Sequence, residues 1–213
     1  MATARRKELE KERRRGEIID AAEKLFFSKG YDGVSMDDVA KKTELAKGTL
    51  YLYFTNKESL FFAVVQRGML IMNAMLEEGV KAAKTGADKL YSTGISYYRF
   101  YKQYPDYFRL MSYSESPCFT GTESMEAVRL SRKSIDIMCE CIRIGQADGS
   151  VRKDIDPLKT ALFLIFSSES IIRHTVEMKD AMEAQGISPD EFVTYSLDLM
   201  GSGVTGKKWG KPK

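Results

Sequence analysis

The chain has 213 residues, enough to bury a full core, and its 43% hydrophobic and 30% charged composition is that of a folded globular protein. A net charge of +3 is too small to indicate nucleic-acid binding by itself, so the placement of the charge carries the information. Three cysteines without zinc spacing (Cys118, Cys139, Cys141), one histidine (His174) without an obvious nucleophile partner and no glycine-rich phosphate loop argue against metal binding, cofactors and catalysis.

Between Arg5 and Arg15 stand seven basic residues against three acidic ones, a local net of +4. This arm, residues 1–13, has two open readings: a strand of charge laid along phosphates or in a minor groove, or a solvated tail kept soluble by its interspersed glutamates. A first helix then runs to Lys29, with Ile18, Ala21, Ala22, Leu25 and Phe26 on one face and Gly30 as its stop. The stretch Ile18–Phe27 carries Asp20, Glu23 and Lys24, and Ala161–Phe166 is far too short to span a bilayer. A cytoplasmic protein with no membrane partner is expected.

Residues 35–57, SMDDVAKKTELAKGTLYLYFTNK, spell two short helices joined by a tight turn. Ser35 is placed as an N-cap, Asp38 as the third residue of a capping box, and Val34 and Val39 as a hydrophobic staple. The helix breaks near Thr43 and Glu44 and restarts at about Ala46, where Leu50 and Phe54 at i and i+4 face inward. Gly48 then lies opposite that stripe, so the backbone can approach a groove closely. Lys47 and Thr49 are expected at base edges or phosphates, Leu52 at a thymine methyl, and Tyr51 and Tyr53 at phosphates. Lys57, in the turn after Asn56, is the further phosphate contact. The competing reading of LYLYF is an aromatic core stripe.

These residues resemble the tetracycline-repressor (TetR) family of transcription factors, through GTLYLYFTNKESLF and the preceding IIDAAEKLFFSKGYDGVSMDDVAKKT. The match is specific over roughly residues 14–62, taking residues 14–60 as the helix-turn-helix domain. It departs where the family commonly carries Gly-Val-Ser and this chain has Glu44, Leu45 and Ala46. Glu at the turn position costs about 1 kcal/mol if φ is positive, and Ala46 forfeits a cap worth roughly another 1.

Downstream, residues 61–200 read as a helical body. A long helix from about Lys57 to Lys84 leads out of the head, and a helix from Ala87 to Tyr104 is stopped by Pro105, which opens a short one through Met111. Tyrosines crowd this region, and buried phenols need partners, so Tyr97, Tyr101, Tyr104, Phe108 and Tyr113, with Phe166 and Glu169, are candidates for a ligand pocket. Ordinary helix packing is the alternative. After a loop with Pro117 and Gly121, a helix covers about Glu123–Gln146; Cys139 and Cys141 lie about 200° apart on it, as buried structural thiols. Asp156 and Pro157 open a helix to about Met178 that is apolar nearly all round, and Ser188, Pro189 and Glu191 open the last, to about Met200. Residues 201–213 read as a flexible basic tail.

The expectation is an all-α protein of about nine helices. As the resemblance implies, the last two helices form a four-helix dimer interface through Leu162, Ile165, Ile172, Phe192, Tyr195 and Leu199, although an intrachain core is the bland alternative. The function expected is a homodimeric regulator, a repressor released from a double-stranded DNA operator by an unidentified small-molecule effector. An activator or corepressed regulator, or a small-molecule-binding protein with a vestigial head, are the alternatives.

Overall fold

A computed structural model describes residues 2–116, 119 and 123–205, without the side chains of 2–4 and 123–128; Cys118 and residues 206–213 lie outside the described residues. Among the described residues every regular element is an α-helix: α1 (Ala2–Lys29), α2 (Met36–Thr43), α3 (Lys47–Tyr51), α4 (Lys57–Ala82), α5 (Gly86–Gln103), α6 (Pro105–Ser114), α7 (Glu123–Asp148), α8 (Pro157–Glu177), α9 (Lys179–Glu183) and α10 (Pro189–Thr205). The all-α class is as expected. The tenth helix is the five-residue α9, whose KDAME sequence is too short to show an apolar period.

Two ends differ from the sequence reading. The basic arm is helix from Ala2 onward, continuous with α1, and Arg13 bridges Glu10 and Glu17 while Arg14 reaches Glu17 at 3.1 Å. Such i,i+3 and i,i+4 pairs favour helix over coil. At the other end α10 runs through Gly201 to Thr205, because Val204 is buried and Arg152 donates from its backbone N–H to the Val204 carbonyl at 3.1 Å and from Nη1 to that of Gly203 at 3.1 Å.

The chain divides into two compact units, one of residues 1–71 and 104–130, the other of residues 72–103 and 131–213. The first therefore takes in α6 and the start of α4, beyond the boundary at residue 60 drawn from sequence. Its core joins Ile18, Ala22 and Phe26 of α1 to Val39, Leu50, Phe54, Leu60, Phe61, Val64 and Val65. Phe61 sits at the hub of a ring cluster, edge-on to Phe26 at 5.4 Å and Tyr31 at 4.8 Å and stacked on Phe119 at 5.4 Å, with Tyr113 packed against Tyr31 and Phe119. Polar bonds fasten α6 to this core: the Tyr107 phenol donates to Glu23, Tyr113 to Asp32 at 2.7 Å, and Arg109 to the Phe27 carbonyl at 2.6 Å. Arg67 of α4 completes the array, 2.6 Å from Asp20 and 3.2 Å from Glu23. Burial and the Glu23 carboxylate push the Tyr107 hydroxyl far above its ordinary pKa, so it stays a donor.

In the second unit the core is built of Leu90, Met138, Cys139, Cys141, Ile142, Val151, Ala161, Leu164 and Val204. Both thiols are buried, and burial pushes the Cys141 pKa up to about 11, which keeps it inert. Helices α5 and α7 touch backbone to backbone where Gly86 meets Gly145, a site with no room for a Cβ. The Asp148 carboxylate and Ser150 hydroxyl accept from the Gly86 and Ala87 N–H groups at 2.8 and 3.0 Å, capping α5. Helices α8 and α10 pack on each other, and their outer sides leave Leu158, Phe163, Phe166, Tyr195 and Leu199 more than half exposed.

Helix α4 is long and apolar enough to cross a membrane by length and composition, a property the sequence reading did not single out. Yet 61% of its most apolar window is buried within the protein. Leu60, Phe61, Val64, Val65 and Met69, which belong to the first unit, and Met72 and Leu76, which belong to the second, are all buried.

Candidate nucleic-acid interface

The start of α2 is fixed by reciprocal bonds. The Ser35 N–H donates to the Asp38 carboxylate at 2.9 Å, and the Asp38 N–H donates to the Ser35 hydroxyl at 3.1 Å. The Ser35 hydroxyl, which donates to the Asp38 carboxylate at 2.6 Å, and the Ser35 N–H together hold that carboxyl below its ordinary pKa. Val34 and Val39 are both buried beneath this cap. At the far end, Glu44 adopts the left-handed conformation, φ 56°, as the only non-glycine with positive φ among the described residues. Its N–H bonds the Lys41 carbonyl at 3.4 Å and the Leu45 N–H the Ala40 carbonyl at 3.0 Å, the Schellman pattern of helix termination. Ala46 then starts α3 in an extended conformation with no side-chain cap.

Leu50 and Phe54 anchor α3 in the core at 0% and 3% exposure. On its outer side Lys47, Gly48 and Tyr51 are exposed, Leu52 is 79% exposed, and Thr49 and Tyr53 are half-buried. A Cβ at Gly48 would meet nothing within 4 Å, so no intrachain contact requires glycine there. Asn56 caps α4, its Oδ1 accepting from the Ser59 N–H at 2.7 Å. Lys57, in the first turn, is half-buried: its ammonium lies 4.0 Å over the Tyr31 ring and donates to the Tyr31 carbonyl at 3.1 Å. That bond uses one of three N–H groups. Ser35, Lys47, Gly48, Thr49, Tyr51, Leu52, Tyr53 and Lys57 thus all belong to the α2–α4 segment of one unit.

Sequence reasoning missed three partners of these residues. Lys47 is ion-paired at 2.6 Å with Asp37, which raises its ammonium pKa. Tyr31 holds Lys57, and the Arg15 guanidinium covers Phe54 at 5.0 Å. Only Asp37 left a trace in the sequence, as an acid the capping box does not use.

Of the pocket candidates, Tyr104, Phe108 and Tyr113 lie in the first unit and Tyr97, Tyr101, Phe166 and Glu169 in the second. Phe108 is buried, and Tyr113 has spent its hydroxyl on Asp32. Tyr101 lines a cleft of about 340 Å³ with Tyr98, Lys102, Thr175, Lys179 and Asp190. Phe166 is 62% exposed on α8, and Tyr97 and Glu169 are half-buried. Among the interface candidates, Tyr195 and Leu199 are 65% and 64% exposed, Phe192 is 36% exposed, Leu162 and Ile165 are half-buried, and Ile172 is buried inside the chain against the cleft. His174 is exposed, its ring Nδ1 2.8 Å from the Ser170 carbonyl of its own helix, and the described residues hold no cluster of metal-binding side chains.

Residues 18–64 match the family model of bacterial regulatory proteins of the tetR family. Over 74 residues the chain is 35% identical to the fatty acid metabolism regulator protein of Bacillus subtilis and to the biofilm operon icaADBC negative transcriptional regulator IcaR of Staphylococcus aureus. These segments are 35% of this chain and 38% and 40% of the two relatives, so the chain spans well under half the length of the curated relatives it matches. The fold follows that of FadR from Bacillus subtilis, solved with stearoyl-CoA, at a TM-score of 0.72 and 20% identity over 88% of this chain and 98% of FadR. Residues 18–64 thus resemble the tetR family of bacterial regulatory proteins, and the chain as a whole shares its all-helical fold with FadR.

Proposed function

We propose that the protein is a sequence-specific DNA-binding transcriptional regulator, a repressor that holds a near-palindromic operator as a homodimer and leaves it when a small molecule binds the body. The observation that carries this reading is the α2–α3 surface: Lys47, Gly48, Tyr51 and Leu52 stand outward from a base packed by Leu50 and Phe54. Fixed phosphate and base contacts need such a rigid, exposed helix face. Lys57 and Tyr53 take backbone phosphates beside it.

The exposed apolar stripes of α8 and α10 support pairing with a second copy, through Leu162, Ile165, Phe192, Tyr195 and Leu199. Two heads joined rigidly read half-sites about one helical turn (~34 Å) apart. The protein acts in the cytoplasm, where its operator is. The FadR structure was solved with an acyl-CoA, and acyl-CoA thioesters are accordingly the first effector class to test here. The described cleft, where Tyr101 stands beside the Lys102–Asp190 and Lys179–Glu183 ion pairs, is one place for such a ligand, with Tyr97 and Glu169 as further pocket candidates. Release is bounded by the effector's preference for one state, typically ~1–3 kcal/mol.

The test is selection of genomic DNA fragments by the purified protein at two salt concentrations, repeated with short- and long-chain acyl-CoAs. A near-palindromic site that survives higher salt, and is lost with one thioester, is the expected result. No enriched site, with or without thioester, refutes the reading.

A further inference from the structure

Asp37 does no capping work in its own helix. The box that starts α2 is closed by Ser35 and Asp38, one residue further on, and the Asp37 side chain is 67% exposed. It belongs instead to the outward surface of the head. Its Oδ1 lies 2.6 Å from the ammonium of Lys47, the first residue of α3, and Tyr51 stands exposed one turn beyond Lys47.

A carboxylate is an unusual group to present to a polyanion, and its partner decides what it can do. If Lys47 turned to a phosphate, Asp37 would be left unpaired beside the same negative backbone. If the pair stays together, it offers an acceptor and a donor side by side. Phosphates present acceptors alone, so they satisfy only the lysine. In the major groove a C·G pair presents the cytosine N4 amino group next to guanine O6 and N7, and the favoured pairings are carboxylate to cytosine N4 and lysine to guanine O6 or N7.

We propose that Asp37 is a specificity-determining residue: it accepts from cytosine N4 while the Lys47 beside it donates to guanine, so that each half-site carries a C·G pair at one fixed position. The inference rests on the head being a reader of DNA sequence, as proposed above. It makes the Asp37–Lys47 ion pair part of the recognition code rather than a surface ornament of the fold.

The experiment is parallel selection from a randomised duplex library by the full-length wild type, Asp37→Asn and Asp37→Ala, with thermal unfolding of each protein recorded alongside. The wild-type consensus should hold C·G at one position per half-site. Asp37→Asn should move that position toward A·T, because an amide pairs with adenine N6 and N7. Asp37→Ala should make it degenerate, losing about 5- to 150-fold in discrimination there, which is ~1–3 kcal/mol at tenfold per 1.4. The same consensus from all three proteins overturns the proposal, as does a loss spread over every position with a lowered unfolding midpoint, which marks a purely structural ion pair. A wild type that enriches no site overturns the reading of the head and this inference with it.

Discussion

Replacing Glu44 by glycine should stabilise the head without touching a single packed side chain. Glu44 ends α2 at φ 56°, ψ 28°, and the two Schellman bonds behind it require that conformation whatever residue occupies the position. An L-residue with a Cβ pays about 1–2 kcal/mol there, and glycine does not. Glycine also enlarges the unfolded ensemble, so the net gain expected is about 0.5–1 kcal/mol. For a chain of this size that is a rise of roughly 1–4 °C in the unfolding midpoint. Guanidinium titration is the sharper assay: the midpoint concentration should rise with the slope unchanged. Glu44→Ala separates the backbone from the charge, since a negative side chain at a helix C-terminus is itself unfavourable. If alanine stabilises as much as glycine, the φ argument is refuted and the dipole explains the gain; if glycine destabilises, the turn is not strained at all.

Three further outcomes follow from the same geometry. Lys57→Ala should weaken operator binding and lower the slope of log K against log salt by about 0.9 per head, and it should cost up to about 1 kcal/mol of stability because the Tyr31 ring loses its cation; Tyr51→Ala, exposed and outside the core, should weaken binding with the melt unmoved. Leu199→Asp, on the outer side of α10, should convert a dimer into the 24.1 kDa monomer in light scattering, with helical content retained; an unchanged mass would remove this stripe from the interface. Because the Asp38 carboxyl is held below its ordinary value near 3.8, its contribution is present above that pH and is lost as pH falls through the lowered folded value. The difference in melting between wild type and Ser35→Ala should therefore shrink between about pH 5 and pH 2, and a constant difference would argue against the cap's charge.

What the sequence made legible is the chemistry that acts over one helical turn. Ser35 with Asp38, Asn56 before Lys57, and Leu50 with Phe54 are i,i+3 or i,i+4 relations, and each was visible as spacing alone. The strained turn at Glu44 was visible too, because glycine was missing where a left-handed residue is needed. The arm's helicity could have been found by the same rule, in Arg13 and Glu17. What stayed hidden were pairs brought together by the fold: Tyr31 is 26 residues from the Lys57 it holds, and Tyr107 is 84 from Glu23. No periodicity encodes such partners. Tyr113 therefore looked like pocket lining, although the Asp32 carboxylate in the turn after α1 accepts from its hydroxyl.

The fastening of α6 to α1 also bears on how such proteins can be recombined. A head cut at residue 60 keeps α2 and α3 but loses Phe61, Phe108, Leu110, Tyr113 and Phe119, along with the phenol on Glu23 and the guanidinium on the Phe27 carbonyl. Grafting residues 1–60 onto a foreign sensor would thus leave an aromatic cavity where this chain has a filled hub. A working hybrid must either carry α6 across with the head or supply rings and donors of matching shape from the recipient, so the natural seam for exchanging specificities runs through space and cannot be found at any one peptide bond.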